Sequence, residues 1–169
     1  MMISKTMQDA INEQINKEFY SSYLYLSMAA NFADKNLPGF AKWLQVQTNE
    51  EREHGMKLYE HLLDRGGQVV LNAIAAPANQ WKTALEAFRE VQTHEAVVTA
   101  SVNALYELAL KEKDYPAQVL LHWFINEQVE EEAWCLEMVE RVQAATCAGG
   151  LSDLDRHIER YLADAKGEK

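Results

Sequence analysis

Residues 40–61 read FAKWLQVQTNEEREHGMKLYEH, and the predicted fold follows from the spacing of their apolar and polar residues. Alternating steps of four and three residues select Phe40, Leu44, Gln47, Glu51, His54, Leu58 and His61. Such spacing keeps these residues on one face of an α-helix, the face that packs inward in a left-handed bundle. The stripe is apolar at its start but carries a carboxylate and an imidazole at its centre. We therefore expect an amphipathic helix that directs Glu51 and His54 into a core.

Three further stretches repeat this pattern, each with a polar side chain in the middle of an apolar stripe. Four such helices predict an all-α four-helix bundle with Glu18, Glu95, Gln128 and Glu131 facing the same core. The three stripes are Ile11, Ile15, Glu18, Ser22, Tyr25, Ala29 and Phe32; Ala84, Phe88, Val91, Glu95, Val98, Val102, Leu105 and Ala109; and Ala117, Leu121, Phe124, Gln128, Glu131, Cys135, Met138 and Val142.

The polar residues of the four stripes should form one cluster halfway along the bundle. Each lies roughly 13 to 16 residues from the start of its helix, and midpoints coincide whichever way the helices run. Four carboxylates in a dry interior cost several kcal/mol per uncompensated charge. Protons could neutralise them, whereas no stripe holds a Lys or Arg between its ends. A pair of divalent cations such as iron, manganese or zinc would also balance the charge and suit oxygen ligands with one imidazole.

The composition indicates a single domain, residues 1–169, with enough apolar content (48%) for a substantial core. No stretch approaches the length of a membrane span and the N-terminus lacks a signal-peptide pattern, so we expect a cytoplasmic protein without a membrane partner. A net charge of -10 argues against nucleic acid and favours cations, although it also suits simple solubility. The two cysteines, Cys135 and Cys147, have no pairing motif and are expected to be reduced.

Breakers in the sequence divide the chain into helices at about 5–34, 38–65, 81–112, 116–146 and 152–165. Pro38 and Pro116 open two of them, and Gly66, Gly149 and Gly150 are expected to follow helix ends. The segment 66–80 is long enough to cross the bundle, since 15 extended residues span about 50 Å. Helix three should therefore run parallel to helix two. The short fifth helix, capped by Ser152 or Asp153, carries a stripe of Leu151, Leu154, Ile158 and Leu162 that could fold back on the bundle or meet other copies.

These motifs together resemble the non-haem bacterial ferritins, members of the ferritin-like di-iron superfamily. The resemblance rests on two hairpins joined by a long crossover, Glu18 with Tyr25, Glu50-Glu51-x-x-His54, Glu95, and Trp123-Phe124-x-x-Glu127-Gln128-x-x-Glu131, and it covers nearly the whole chain. It implies a hollow homo-oligomeric shell of 24 subunits. Each subunit would oxidise Fe(II) with O2 or H2O2 at a di-iron centre, and the shell would store the ferric mineral.

The resemblance also implies a role for each site residue. Glu18, Glu51 and His54 would bind one iron, with Glu51 bridging, while Glu95 and Glu131 hold the second with Gln128 beside it. Tyr25 would donate a hydrogen bond to a ligand or an electron during oxidation, or simply pack in the core. A third iron site would use Glu50, Glu127 and Glu130, which otherwise are ordinary acids on helix surfaces. The remaining histidines, His61, His94, His122 and His157, are expected to be structural or superficial.

Departures from related families narrow this interpretation. A second Glu-x-x-His on helix four, typical of bacterioferritins and di-iron oxygenases, is replaced by Gln128-x-x-Glu131, and Arg52 stands where bacterioferritins have a haem-binding methionine. Haem is therefore not expected. Two other functions stay open: a di-iron oxidase or peroxidase without mineral storage, for which the stripes give no sign of a substrate pocket, and a structural bundle whose buried acids are protonated.

Overall fold

The computed structural model describes residues 2–145 and 147–165, although its account of side chains in the last helix covers only 149–158. Five helices occur in these ranges: α1 (Lys5–Asp34), α2 (Pro38–Asp64), α3 (Ala84–Glu112), α4 (Tyr115–Ala144) and α5 (Ala148–Ala165). No strand accompanies them in the described part of the chain. The predicted all-α class is confirmed, and none of the described helices is long and apolar enough to cross a membrane.

Side-chain caps fix where three of the long helices begin. Ser4 accepts a hydrogen bond from the amide of Met7 at 3.1 Å, Thr83 does so from Glu86 at 3.1 Å, and Asp114 from Ala117 at 3.1 Å. Each oxygen satisfies an amide that has no partner within its own helix. The cap at Thr83 explains why α3 starts three residues later than the predicted position 81, because the capping residue itself is not helical.

The bundle consists of two hairpins, α1 against α2 and α3 against α4. Its interior contains two separate apolar clusters. One gathers the end of α1, the starts of α2 and α3 and the end of α4, around Phe32, Phe40, Phe88 and Met138. The other cluster gathers the opposite ends of the four helices, around Ile11, Leu58, Val102 and Leu121. Because the starts of α2 and α3 share a cluster, these helices run parallel, as the long crossover requires.

The crossover between α2 and α3 lies along α1 and is held at both of its ends. Near its start, Asn12 donates to the carbonyl of Gln68 at 2.9 Å and accepts from the amide of Val70 at 2.8 Å. Near its end, Ser27 donates to the carbonyl of Ala78 at 2.6 Å. The backbone of the crossover makes no helix or sheet hydrogen bonds, so these side chains supply hydrogen-bond partners that keep the long connection ordered.

The fifth helix begins earlier than expected and packs on its own bundle. The prediction that Gly149 and Gly150 lie outside a helix, with a cap at Ser152 or Asp153, is wrong, because both glycines are in the first turn of α5. There the amide of Gly150 donates to Cys147 Sγ at 3.2 Å, which provides an alternative cap. Leu154 and Ile158 join the apolar cluster near the start of α2, as expected for a helix that folds back on its own bundle. The side chain of Leu162 lies outside the described residues.

Candidate metal centre

A layer of polar side chains separates the two apolar clusters, as the stripes predict. All of its members are at least 95% buried, so they lie within the core and not at a helix surface. The layer contains Glu18 from α1, Glu51 and His54 from α2, Glu95 from α3, and Gln128 and Glu131 from α4.

Three members of this layer form a compact group with the geometry of metal ligands. One ligand atom each from Glu18, Glu51 and His54 lies within 4.8 Å of the other two. His54 Nδ1 is 3.6 Å from Glu51 Oε2, one helical turn apart on the same face. Two carboxylates and an imidazole at this spacing can converge on a single first-row divalent cation.

The other half of the layer comes from α3 and α4. Gln128 Nε2 donates to Glu95 Oε2 at 3.1 Å, and the hydroxyl of Tyr25 donates to Glu95 Oε1. The indole N–H of Trp134 donates to Glu131 Oε2. Glu95 and Glu131 are close enough to Glu51 for their charges to raise its pKa, so the two halves belong to one electrostatic cluster.

Burial strongly disfavours the charged forms of these acids in the metal-free protein. Burial raises the pKa of Glu18 to about 7, although hydrogen bonds with Gln14 and Glu51 lower this pKa in part. The pKa of Glu51 is raised well above its usual value, first by burial and then by the charges of Glu95 and Glu18. Burial also raises the pKa of Glu95. A layer that holds protons when no cation is present is suited to exchange those protons for metal ions.

Comparison with known proteins identifies the family. A ferritin-like domain family matches residues 8–145, which is most of the chain. This chain belongs to the ferritin family. It is 43% identical over 132 residues, 78% of this chain and 79% of the relative, to a protein of Staphylococcus saprophyticus named bacterial non-heme ferritin. A Bacteroides fragilis protein of the same name is 41% identical over 148 residues, 88% of this chain and 93% of the relative.

Solved ferritin structures share the fold over nearly the whole length. An engineered closed form of the Archaeoglobus fulgidus ferritin aligns with a TM-score of 0.90 and 44% identity, covering 92% of this chain and 95% of that one. The open pore ferritin of the same hyperthermophilic archaeon aligns with a TM-score of 0.90 and 43% identity, covering 92% and 96%. The predicted family and the predicted bundle are therefore confirmed.

An acidic groove of about 880 Å³ reaches the polar layer of this ferritin from the side formed by α2 and α4. His54 and Glu131 belong both to the layer and to the groove wall. Glu50, Glu127 and Glu130 line the same groove, the first two half-buried and the third exposed. The apolar stripes of the sequence give no sign of this groove, because stripes describe the buried faces of helices and not the space between their outer edges.

Several neighbours of the ligand set were not foreseen from the sequence. Gln14 Nε2 donates to Glu18 Oε1 at 2.7 Å, and Trp134 donates to Glu131. In the groove, Lys57 Nζ lies 4.2 Å from the centre of the Trp123 ring, whose edge meets the His54 ring at a centroid distance of 5.3 Å. A signal did exist for Gln14, since it precedes Glu18 by one turn on the same helix face.

Two polar groups near the layer are not positioned as ligands. Burial lowers the pKa of His94 to about 4, and its Nε2 lies 2.7 Å from Ser21 Oγ, so it is a neutral structural histidine. Burial raises the pKa of the Cys135 thiol, and the neighbouring carboxylates raise it further. Cys135 therefore behaves as a small buried apolar residue, as predicted.

Proposed function

We propose that this ferritin stores iron and oxidises Fe(II) at a di-iron centre within each subunit. The observation that carries the proposal is the buried layer of four carboxylates, an imidazole and a carboxamide in the middle of an otherwise apolar core. The relatives named bacterial non-heme ferritin are 43% and 41% identical to this chain over the aligned residues, which supports the same conclusion.

Glu18, Glu51 and His54 are the proposed ligands of one iron, with Glu51 bridging to the second. Glu95 and Glu131 would bind the second iron, with the side chain of Gln128 beside them. The compact spacing of the first group and the proximity of Glu51 to both acids of the second support this division. In this arrangement Fe(II) is the substrate, and the chain supplies oxygen ligands that stabilise the ferric product.

The proposed oxidation is balanced over two iron ions. Each Fe(II) loses one electron to become Fe(III), while one O2 takes up both electrons and two protons to give H2O2. With H2O2 as oxidant, the same two electrons and two protons give two water molecules. Holding both irons in one site favours this paired transfer over one-electron products. The hydroxyl of Tyr25 keeps Glu95 oriented through its hydrogen bond. Burial holds the pKa of Tyr25 well above its usual value, so the phenol stays protonated.

A third iron site in the groove is part of the proposal. Glu50, Glu127 and Glu130 line the space next to Glu131, and their carboxylates could hold an ion that enters or leaves the di-iron centre. The predominance of acids in this groove favours cations over organic molecules, which supports storage over the alternative of a di-iron oxidase or peroxidase.

The proposed assembly is a shell of 24 copies of this chain. Apolar side chains of the crossover support a contact between copies, because Val70, Leu71 and Ile74 are 44%, 65% and 41% exposed on the single chain. We also propose a cytoplasmic location, where its two free cysteines would remain reduced.

The experiment that tests the oxidation step replaces two proposed carboxylate ligands with amides of the same shape. Glu18→Gln combined with Glu51→Gln should abolish the rapid absorbance change that follows addition of Fe(II) in air. A matched variant, Glu13→Gln combined with Glu107→Gln, alters two exposed acids and should retain it. Equal rates of Fe(II) oxidation in both double variants would contradict the proposed centre and favour a structural bundle with protonated acids.

A further inference from the structure

Gln14 is a buried amide whose position calls for an explanation. It is 2% exposed, lies one turn before Glu18 on α1, and donates from Nε2 to Glu18 Oε1 at 2.7 Å. Burying an amide in an apolar core is unfavourable unless its hydrogen bonds are satisfied, and an apolar residue would otherwise suit this place. The amide is therefore best explained by the carboxylate it contacts.

The orientation of this amide is set from a different helix. Ser101 Oγ on α3 donates to Gln14 Oε1 at 2.8 Å, with the carbonyl of Val98 as a second acceptor at 2.8 Å. The opposite amide orientation would place Oε1 against the carboxylate of Glu18, where two acceptors repel each other. Ser101 and Gln14 thus form a short chain of hydrogen bonds that reaches from α3 across to a proposed iron ligand on α1.

The two oxygens of Glu18 are consequently unequal. Oε1 accepts the N–H of Gln14, whereas Oε2 is fully buried and has no N–H donor among the described residues, and the carboxyl group of Glu51 is the other hydrogen-bonding neighbour of Glu18. A hydrogen bond to a ligand carboxylate fixes its rotation and draws electron density toward the bonded oxygen. Oε2 is the oxygen left for a cation, and the same carboxyl group belongs to the cluster with Glu51 and His54.

We propose that Gln14 is a positioning residue that orients Glu18 so that it binds Fe(II) through Oε2 alone. This inference rests on the proposed function and adds a residue to its machinery that touches no iron. The same hydrogen bond keeps Glu18 from chelating with both oxygens, so one coordination position on this iron stays available for the oxidant. Gln14 acts only through Glu18, and Ser101 acts only through Gln14.

The test compares the wild type with Gln14→Met, which keeps the length and volume of the side chain but removes both polar atoms. Anaerobic titration with Co(II), monitored by its visible spectrum, reports affinity and coordination without oxidation. We expect the tightest Co(II) affinity to weaken by about tenfold and the spectrum of the bound ion to change. With Fe(II) in air, the Fe(II) concentration for half-maximal rate should rise more than the maximal rate falls.

Ser101→Ala and Asn12→Leu complete the design. Ser101→Ala releases the amide without disturbing α1 and should weaken Co(II) binding in the same direction by a smaller factor. Asn12→Leu removes another buried amide from α1, one that bonds to the crossover and not to the polar layer, so it should lower Tm and leave the Co(II) spectrum unchanged. This control separates loss of stability from loss of ligand orientation.

Wild-type affinity and spectrum in Gln14→Met would overturn the inference, and so would an equal spectral change in Asn12→Leu. If Gln14→Met fails to fold, an unaltered Co(II) affinity in Ser101→Ala is sufficient to reject it. A wild type that neither binds Co(II) nor oxidises Fe(II) would instead remove the proposed function itself, so the two failures are distinguishable.

Discussion

The amide of Phe40 donates a hydrogen bond of 2.9 Å to the carboxylate of Asp155, which joins the first turn of α2 to the middle of α5. The residue before this helix, Leu37, offers no side-chain cap, so the fifth helix supplies the missing acceptor. Gly39 permits the approach, because a Cβ there would lie 1.8 Å from the carbonyl oxygen of Asp155. A carboxylate at a helix N-terminus is also favoured by the helix dipole.

Asp155→Ala should therefore loosen α5 and lower the free energy of unfolding by about 1 kcal/mol, the usual cost of losing a helix cap. Gly39→Ala should cost more, since backbone atoms of α5 have to move away. Urea unfolding and limited proteolysis near residue 147 would measure both effects. Asp153→Ala is the control, because Asp153 is an exposed acid on the same helix. An equal loss in Asp153→Ala would show that the contact with Phe40 is not responsible.

Tyr25→Phe should slow Fe(II) oxidation by about tenfold while lowering the free energy of unfolding by no more than about 1.5 kcal/mol. The ring would still fill its place in the core, but Glu95 would lose the hydroxyl donor that orients it. Stopped-flow absorbance after mixing with Fe(II) in air measures the rate. Tyr106→Phe removes a hydroxyl that lies 2.9 Å from His122, away from the polar layer, and should keep the wild-type rate. A wild-type rate in Tyr25→Phe would assign Tyr25 to packing alone.

The metal-free protein should lose stability as the pH rises toward neutrality. Burial raises the pKa of Glu18 from 4.5 to about 7, so between these values the folded state binds more protons than the unfolded state. The free energy of unfolding then falls with rising pH across this window. With a chelator present, the Tm of the wild type should drop by roughly 5 °C relative to Glu18→Gln between about pH 5 and pH 7.5. Parallel pH profiles for the two proteins would refute this assignment.

Gln128→His should slow the departure of iron from the centre. Gln128 Nε2 donates to Glu95 Oε2 at 3.1 Å and to Thr99 Oγ1 at 3.2 Å. Its amide N–H groups are therefore used in hydrogen bonds to neighbouring side chains, and Gln128 is at most a weak metal ligand. An imidazole in its place would add a stronger nitrogen ligand and hold the ferric product for longer. Repeated additions of two Fe(II) per chain would reveal a slower recovery of the fast phase. Recovery at the wild-type rate would argue against this view of Gln128.

The sequence predicted the bundle and its polar layer because both depend on helical periodicity. Glu18, Glu51, Glu95 and Glu131 replace apolar residues in stripes that are otherwise regular, and the two apolar clusters are interrupted at those places. The start of α5 differs from the predicted position because glycines usually follow a helix, whereas at Gly149 and Gly150 a contact with Cys147 and the packing of the next turns outweigh their low helix propensity.

Hydrogen bonds between side chains were harder to foresee than burial. The roles of Gln14 and Trp134 depend on which rotamer each adopts and on the exact separation of neighbouring helices, and residue spacing does not encode either quantity. The groove beside Glu131 likewise depends on the space between α2 and α4, whose side chains meet at places such as Trp43 and Trp134 while their backbones stay apart.

Iron storage by this chain is tested by measuring iron and mass on the same particle. A large excess of Fe(II) is added in air, and the protein is passed through a size-exclusion column with light-scattering detection and an iron assay of each fraction. Storage predicts many irons per chain, eluting with a particle of about two dozen chains. Two or three irons per chain on a small oligomer would contradict it and leave only a di-iron redox centre.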